Sequence, residues 1–388
     1  MATYQTPGVY IEEVELGAKP IAGVGTSIAG FVGVTDKGAI YQDQPTLVTS
    51  WGDFTSKFGY YTSTAPYVAP AVFSFFLNGG TTAFIVKSAD DSDGAIVGTD
   101  GGAGARTGLT ALTDVDEVTM VMTPGVTSDV VVKAVVAHCE HMGDRIAIID
   151  APEDTITTTD LDTYKADAIS ADGYATLYAP WYNSAVEYID TTDNDKLKNK
   201  KIFIPPSGAM AGIYSRSDSQ RGVHKAPANE QVRGALELKV NYNKAEQALL
   251  NPKGINAIRS FAGRGILVWG ARTTASNSLW KYINVRRLFM FLEESIDEGT
   301  QWVVFEPNDA KLWDRVKQTI NNFLTTQWRE GMLMGSTPDE AFFVKCDRET
   351  MTQDDIDNGR LICEIGVCPV KPAEFVIFRI AQQCSATA

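Results

Sequence analysis

The sequence predicts a multidomain chain that combines an α/β region with an α+β region. The 388 residues exceed the size that usually folds around one hydrophobic core, so at least two domains are expected. From about residue 116, short apolar segments alternate with amphipathic helical segments, the pattern of a partly parallel sheet with crossover helices. Residues 265–388 instead place long helices before a run of short strands, which is typical of α+β domains.

The first part of the chain predicts a strand, a second strand or turn, a helix and a third strand. These segments are SIAGFVGV at 27–34, QPTLVTSWGDFTSKFG at 44–59, AVFSFFLN at 71–78 and TAFIV at 82–86. A small, polar, glycine-rich stretch follows and contains GTDGGAGARTG at 98–108. Such a composition predicts a flexible excursion near residues 91–115.

The α/β region begins with a predicted strand at 118–122 and a helix whose N-cap is Ser128. The apolar positions of this helix fall on one face, at Val131, Val135, Cys139 and Met142. The rest of the region predicts a buried strand at 145–150, a helix at 160–171, a strand at 174–181 and a polar loop at 190–201.

The α+β region predicts two long helices and several strands. The helices are expected at 278–297 and from a cap at Asn308 to about residue 331. The strands are expected at 265–271, 301–307, 341–347, 360–367 and 373–383.

Both ends of the chain carry short segments that favour extended structure. Val9, Tyr10 and Ile11 follow a Pro-Gly pair that blocks a helix, and Phe375, Val376, Ile377 and Phe378 form an apolar run near the other end. A strand this short cannot fold alone, so it must add to a sheet elsewhere. The sequence therefore predicts subunits that pair with one another through their termini, with pairing inside one subunit as the alternative.

Several collinear segments identify a family. They are PGVYIEE at 7–13, WGDFTSKFG at 51–59, AVFSFFLNGGTTAFIV at 71–86, residues 204–230, 264–276 and 280–296, and the closing stretch from Asp357 to Phe378. Together they resemble contractile tail sheath proteins, which form the outer cylinder of contractile phage tails, tailocins and extracellular injection systems. The resemblance is weakest between about residues 90 and 200.

The resemblance implies a discontinuous arrangement of domains. An inner α+β domain would combine an N-terminal arm at 1–20 with residues 265–388. An outer α/β domain at 21–264 would be inserted between these two parts.

The resemblance also implies a structural role without a cofactor. Subunits would assemble as stacked hexameric rings around an inner tail tube, linked by their N- and C-terminal arm strands. The rings would contract to drive the tube through a target envelope. Further expected partners are the baseplate and tail terminator proteins.

A contact with the tube is expected on the second long helix. Arg315, Lys317 and Arg329 supply positive charge there, and in this family charge complementarity is thought to hold the sheath to its tube. The simpler interpretation is that these side chains are solvated polar positions.

Composition excludes several classes of protein. The net charge of −14 argues against a general nucleic-acid binder, and no run of about 18 apolar residues predicts a membrane span. The first residues lack the basic and apolar regions of a signal peptide. We therefore expect assembly in the bacterial cytoplasm as part of a phage tail or an extracellular contractile particle.

Side chains with reactive or metal-binding groups do not form a recognisable site. His138, Cys139, Glu140 and His141 are adjacent, but a solvated helix end explains them better than a metal centre does. Neither catalytic nor cofactor-binding residues are predicted. An enzyme built on the central α/β region, or a non-contractile tail protein, remains the alternative.

The five cysteines are unevenly spaced, at Cys139, Cys346, Cys363, Cys368 and Cys384. Their odd number and spacing favour reduced thiols, with disulfides within or between subunits as the alternative.

Overall fold

The computed structural model describes residues 20–155, 157–190, 192–193 and 195–377. Val9, Tyr10, Ile11 and Phe378, which the sequence assigns to arm strands, lie outside these residues. The described residues separate into two compact units. The larger contains Gly23–Glu294 and Pro369–Ile377, and the smaller contains Pro20–Ala22 and Ser295–Cys368.

The strands, in chain order, are β1 (Ile28–Gly33), β2 (Thr46–Val48), β3 (Thr82–Lys87), β4 (Met120–Met122), β5 (Ile146–Asp150), β6 (Ala175–Ala179), β7 (Tyr182–Asp190), β8 (Lys196–Ile204), β9 (Glu230–Gln231), β10 (Glu237–Leu238), β11 (Ile255–Phe261), β12 (Gly265–Val268), β13 (Phe342–Lys345) and β14 (Glu364–Val367).

The helices are α1 (Trp51–Phe58), α2 (Val68–Asn78), α3 (Asp93–Val97), α4 (Asp129–Met142), α5 (Thr158–Lys165), α6 (Ser207–Arg221), α7 (Lys244–Leu250), α8 (Ile283–Thr300), α9 (Ala310–Arg329), α10 (Pro338–Ala341) and α11 (Gln353–Asp357). Among the described residues, none of these helices is long and apolar enough to cross a membrane.

The larger unit is built on a mixed sheet of nine strands in the order β2-β3-β1-β4-β5-β6-β11-β12-β9. The neighbouring strands from β3 to β11 run parallel, while β2, β12 and β9 join in antiparallel pairs at the two ends. A separate antiparallel sheet has the order β10-β7-β8. The mixed class predicted from the sequence is confirmed.

Two hydrophobic clusters cover the two faces of the main sheet. In β5, Ile146 and Ile148 belong to one cluster, and Ala147 and Ile149 belong to the other. Helices α2 and α6 contribute to the first cluster and α4 to the second. Because side chains alternate between faces and both faces are covered, the central strands are apolar at nearly every position. This is why the strands at 145–150 and 174–181 could be predicted.

Helices α2 and α6 pack with their backbones very close together. A Cβ atom at Gly208 would lie 2.2 Å from the carbonyl oxygen of Ala71, and one at Gly212 would lie 2.4 Å from that of Phe75. These distances are far below van der Waals contact, so the two glycines of α6 are required by the packing against α2.

Of the predicted segments of the larger unit, one was wrong and another was right only in part. The polar loop expected at 190–201 is instead part of a long hairpin, in which β7 and β8 pair from Tyr182↔Ile204 to Asp190↔Lys196. The outer end of this hairpin is solvated, so it lacks the apolar alternation that would mark a strand; Lys198 bonds Asp190 at 2.8 Å there. The possible strand or turn at 44–59 contains the strand β2, as predicted, but also α1, which begins after the N-cap Ser50.

The smaller unit contains α9 and a two-stranded antiparallel sheet, β13–β14. The strand predicted at 301–307 was wrong, because this segment forms a short 3₁₀ helix at Gln301–Val303 followed by turns. Its backbone bonds are local, from Val304 to Gln301 and from Glu306 to Val303. Phe305 has a φ of 68°, which a strand residue does not adopt.

Candidate arm anchors and assembly surfaces

The C-terminal segment is held to the larger unit through the carboxylate of Glu374. Arg272 donates from Nε to Oε1 at 2.8 Å and from a terminal nitrogen to Oε2 at 2.6 Å. The side-chain amide of Asn251 donates to Oε1 at 2.6 Å, and the hydroxyl of Tyr282 donates to Oε2 at 3.1 Å. Such a bidentate pair fixes both the position and the orientation of a carboxylate.

The arginine of this anchor is itself fixed. It is almost fully buried, and another terminal nitrogen donates to the carbonyl of Asn251 at 2.9 Å. Burial by itself raises the pKa of Glu374, but hydrogen bonds from Arg272 and Asn251 outweigh it, so the pKa lies below its usual range. The carboxylate therefore stays charged at neutral pH. A second tether acts upstream, where the Asn284 amide donates to the carbonyl of Val370 at 3.2 Å.

Beyond Glu374 the chain is apolar and exposed. Phe375, Val376 and Ile377 have 71%, 67% and 78% of their surface exposed. In the single subunit, residues 373–377 of the strand predicted at 373–383 are not in a strand, and pairing with another subunit stays a prediction. Extended structure needs a neighbouring sheet edge, and none accompanies these residues in the described part of the subunit.

A second buried ion pair holds the beginning of the described chain. Two terminal nitrogens of Arg287 bond the carboxylate of Asp218 at 2.9 and 2.6 Å, and Arg287 also donates to the carbonyl of Thr26 at 2.7 Å. The Thr26 hydroxyl donates to Asp218 at 2.7 Å. The chain entering the larger unit is therefore fixed in the same way as the chain leaving it.

Sequence reasoning missed both anchors. One signal was present in the sequence: Arg286 and Arg287 are adjacent in an otherwise apolar stretch of α8, and both are buried. Buried arginines in such a stretch require carboxylate or aromatic partners, and Arg286 lies 4.1 Å from the ring centroid of Tyr174. The partner of Arg287 is Asp218 and that of Arg272 is Glu374. Both carboxylates are distant in sequence from their arginines, so only the fold identifies them.

The two-stranded sheet of the smaller unit offers unpaired strand edges. Its strands pair from Phe342↔Val367 to Lys345↔Glu364, and within the described residues no third strand joins either side. The face that carries Phe343 is exposed, while Phe342 is buried. Open edges of this kind accept an added strand through main-chain hydrogen bonds.

The three cations predicted to contact a tube do not share one face of α9. Lys317 follows Arg315 by about 200° around the helix, whereas Arg329 returns to within about 40° of Arg315 at 3.6 residues per turn. Arg315 and Arg329 are exposed, and so is Lys311, one turn before Arg315. Lys317 is half-buried and lies 3.3 Å from Asp314. Lys311 was missed by the sequence analysis.

The histidine-containing end of α4 is a structural region. Cys139 is buried in the core, and burial together with the charge of Arg145 lowers the pKa of His138 to about 4, so this imidazole is neutral at pH 7. Glu140 accepts a hydrogen bond from Ser170 at 2.6 Å. Within the described residues, no group of three or more His, Cys, Asp or Glu side chains could hold a metal ion.

Models of known protein families match nearly three quarters of the chain. The model for the central domain of phage tail sheath proteins matches residues 98–274, and the model for their C-terminal domain matches residues 275–383. The chain therefore belongs to the contractile tail sheath family. The resemblance recognised in the sequence is confirmed.

Solved structures agree over nearly the whole chain. The sheath complex of an extracellular contractile injection system, PVC, in its contracted state has a TM-score of 0.80, 31% identity and a coverage of 99% of each chain. The helical sheath of the anti-feeding prophage (AFP), also contracted, has a TM-score of 0.79 and 31% identity over 98% of this chain and 100% of that chain.

Some curated relatives are matched over a shorter part, and the putative prophage major tail sheath protein of Pseudomonas aeruginosa is 24% identical over 96% of this chain and 95% of that relative. The tail sheath protein of Vibrio phage KVP40 is 30% identical over 186 residues. This match spans 47% of the chain and only 27% of that relative.

Proposed function

We propose that this chain is the subunit of a contractile sheath that polymerises as stacked hexameric rings around an inner tube. Contraction of the rings drives the tube through a target envelope. Support comes from similarity to two sheaths solved in the contracted state. The observation that carries the proposal is the apolar segment Phe375–Ile377, which is exposed immediately after a carboxylate anchor.

Subunits are linked by exchanging strands. Phe375–Phe378 from one copy and Val9–Ile11 from another add to the edges of β13–β14 in a neighbouring copy. Main-chain hydrogen bonds supply the attraction, and the exposed apolar side chains gain burial. Residues 1–20, if extended, reach roughly 60 Å at about 3.3 Å per residue, which is enough to cross to a neighbour.

The two anchors give this exchange its mechanical strength. Arg272–Glu374 and Arg287–Asp218 fix the points at which the chain leaves and enters the larger unit. Force applied along an arm is then borne by a buried bidentate ion pair, while the arm itself can reorient as the lattice widens. Removing one partner would leave a buried, uncompensated charge, which is strongly destabilising.

The driving force for contraction is the additional apolar surface that the subunits bury. Each further 100 Å² of apolar surface buried per subunit contributes about 2.5 kcal/mol before other terms, and the gain is repeated over all subunits. This mechanism requires neither a cofactor nor an enzymatic step, in keeping with a family of structural tail proteins.

The domain arrangement proposed is an inner domain from the arm 1–20 and residues 265–388, with the outer domain 21–264 between them. Its support is that Pro20–Ala22 group with Ser295–Cys368, whereas residues 265–294 and 369–377 group with the larger unit. The inner domain faces the tube through the exposed cations Arg315 and Arg329 on α9, joined by Lys311. Lys317 lies on another side of the helix.

The remaining partners proposed are the baseplate and tail terminator proteins. Assembly takes place in the bacterial cytoplasm, and the product is part of a phage tail or an extracellular contractile particle. Nucleic acid and membrane are not proposed as partners.

The test is self-assembly of purified protein at rising concentration and salt, followed by sedimentation and negative-stain electron microscopy. Ile377→Asp and a deletion of residues 1–14 should each remain folded monomers, while the wild type forms hollow cylinders or stacked rings. Ile40→Asp is the matched control, because Ile40 is 76% exposed and Ile377 is 78% exposed. Assembly by Ile377→Asp as efficient as that of Ile40→Asp would contradict strand exchange.

A further arm of the same assay adds the tube protein of the particle as a template. Arg315→Glu combined with Arg329→Glu should abolish tube-guided assembly and leave spontaneous assembly intact, whereas Lys317→Glu should change neither. Unimpaired tube-guided assembly of the double variant would refute the tube contact.

A further inference from the structure

Two cysteines face each other at the open end of the small sheet. Cys346 directly follows the last residue of β13, and Cys363 directly precedes the first residue of β14. The ladder of β13–β14 runs from Phe342↔Val367 to Lys345↔Glu364. The next pair in this register is Cys346 and Cys363.

The hydrogen-bond pattern places this pair in the closer of the two classes of antiparallel neighbours. The amide of Cys368 donates to the carbonyl of Ala341 at 2.8 Å, which makes Ala341 and Cys368 a hydrogen-bonded pair. Pairs alternate along the ladder, so Cys346 and Cys363 belong to the class that is not hydrogen-bonded, with Cα atoms about 4.5 Å apart. This separation lies within the span of about 4.4–6.8 Å that a disulfide bridges.

The side chains also meet. Strand alternation points Cys346 and Cys363 to the same face of the sheet as the buried Phe342. Cys346 is 2% exposed, whereas Cys363 is half-buried. Interaction between the two thiols holds the pKa of Cys346 below its ordinary value and, together with burial, raises the pKa of Cys363. The nearby ammonium of Lys317 favours a thiolate at either sulfur.

The other described cysteines lack this arrangement. Cys139 is buried in the core of the larger unit. Cys368 lies at the opposite end of β14, where its register partner is Ala341.

We propose that Cys346 and Cys363 are an oxidation site at which a low-molecular-weight disulfide forms an intramolecular disulfide. Cys363 first passes its proton to the Cys346 thiolate, and the more exposed Cys363 sulfur then attacks one sulfur of the oxidant. This gives a mixed disulfide and releases one thiolate, which takes the proton back from Cys346 and leaves as a thiol. The Cys346 thiolate then attacks the Cys363 sulfur, forming the Cys346–Cys363 bond and releasing the second thiol. The two protons lost by the cysteines end on the two thiols released, so the oxidant is reduced by two electrons.

The bond would close the end of the sheet whose edges we propose to receive the arms. It would fix the register of β13 against β14 and restrict residues 347–362 in the unfolded chain, which stabilises the fold. The site is a property of the single subunit and does not depend on sheath assembly. Its failure would therefore leave the proposed function untouched.

The experiment incubates the full-length protein with oxidised glutathione, alkylates the remaining thiols and maps tryptic peptides by mass spectrometry. Cleavage yields Cys346–Arg348 and Leu361–Arg379, and the expected product is their cross-link at Cys363, with a loss of two mass units from the intact chain. Cys368→Ser should retain the cross-link, whereas Cys363→Ser should lose it. Oxidised wild type should also unfold at a higher urea concentration than its reduced form, and Cys363→Ser should show no such shift.

Two results would overturn the proposal. One is a stable glutathione adduct on Cys363, or free thiols throughout, with no cross-link to Cys346. The other is a cross-link of Cys363 to Cys368 that disappears in Cys368→Ser. Because Cys363 is only half-buried, its replacement by serine keeps the test interpretable even if a change at the buried Cys346 prevents folding.

Discussion

At the scale of single residues, Asp150 is a buried carboxyl group with an unusual titration. It is buried at the end of β5, where Ser207 donates from its amide and its hydroxyl, each at 2.7 Å, and the amide of Gly125 donates at 3.2 Å. Burial raises the pKa of Asp150 to about 7, although these hydrogen bonds favour the charged form. Desolvation thus exceeds the contribution of all three donors.

This predicts a specific dependence of stability on pH. The folded pKa is raised, so between about pH 4 and pH 7 the folded protein binds more protons than the unfolded chain at this site. The free energy of unfolding should therefore fall as the pH rises through this window, by up to about 4 kcal/mol from this group at 1.36 kcal/mol per pKa unit. Urea unfolding of the monomer should show the advantage of wild type over Asp150→Asn shrinking from pH 4 to pH 7.

The control is Asp190→Asn. Hydrogen bonds from Lys198 and Thr192 lower the pKa of the half-buried Asp190 to about 2, so its contribution to stability is lost only as the pH falls below 4. Asp190→Asn should therefore leave the slope of the free energy of unfolding against pH unchanged between pH 4 and pH 7. A difference between wild type and Asp150→Asn that does not vary with pH would show that Ser207 and Gly125 keep Asp150 charged in the folded protein.

Residues of the anchors illustrate what a single sequence conceals. Arg272 and Glu374 are 102 positions apart, and neither belongs to a local motif. The exposed segment Phe375–Ile377 could be recognised from the sequence as one that needs a partner strand, because its composition alone favours extended structure. The point at which it is fixed to the larger unit depends on tertiary contacts and could not be predicted.

At the scale of elements, the close packing of α2 against α6 leaves no room for a side chain at Gly208, and this can be tested. Gly208→Ala places a methyl group 2.2 Å from the carbonyl of Ala71, so the helices must separate. Overpacking of this kind costs about 1–3 kcal/mol. Gly208→Ala should therefore lower the urea midpoint of the monomer.

Gly52→Ala is the matched control. Gly52 is also the second residue of its helix, and a Cβ there would meet nothing within 4 Å. This change should be neutral or stabilise by up to about 1 kcal/mol, because glycine is unfavourable in helices. Equal effects of the two substitutions would show that α2 and α6 can move apart without loss.

Elements with a strong local signal could be predicted from the sequence. Ser128 caps α4 as expected, with its hydroxyl accepting from the amide of Val131, and α9 follows the apolar spacing of its buried face. The hairpin β7–β8 could not be predicted, because its outer end is solvated on both sides and lacks a hydrophobic pattern. The segment 301–307 has a composition typical of strands, but its backbone forms local hydrogen bonds from Val304 to Gln301 and from Glu306 to Val303. Strand propensity therefore did not determine its conformation.

At the scale of the whole molecule, the fold of the subunit resembles that of solved sheath proteins. The arrangement of subunits in a lattice, however, cannot be read from a single subunit. The mixed sheet, the two compact units and the open edges of β13–β14 are properties of the single chain. What completes those edges is a property of the assembly. The central claim is that neighbouring copies complete them with Val9–Ile11 and Phe375–Phe378.

The most direct test is a helical reconstruction, by electron cryomicroscopy, of cylinders assembled from the wild-type chain. We expect β13–β14 to be extended by strands from two other copies, one formed by Val9–Ile11 and one by Phe375–Phe378, with Arg272–Glu374 and Arg287–Asp218 intact at the roots of the arms. A sheet that stays two-stranded in the cylinder, or that is completed by the termini of its own copy, would contradict the account.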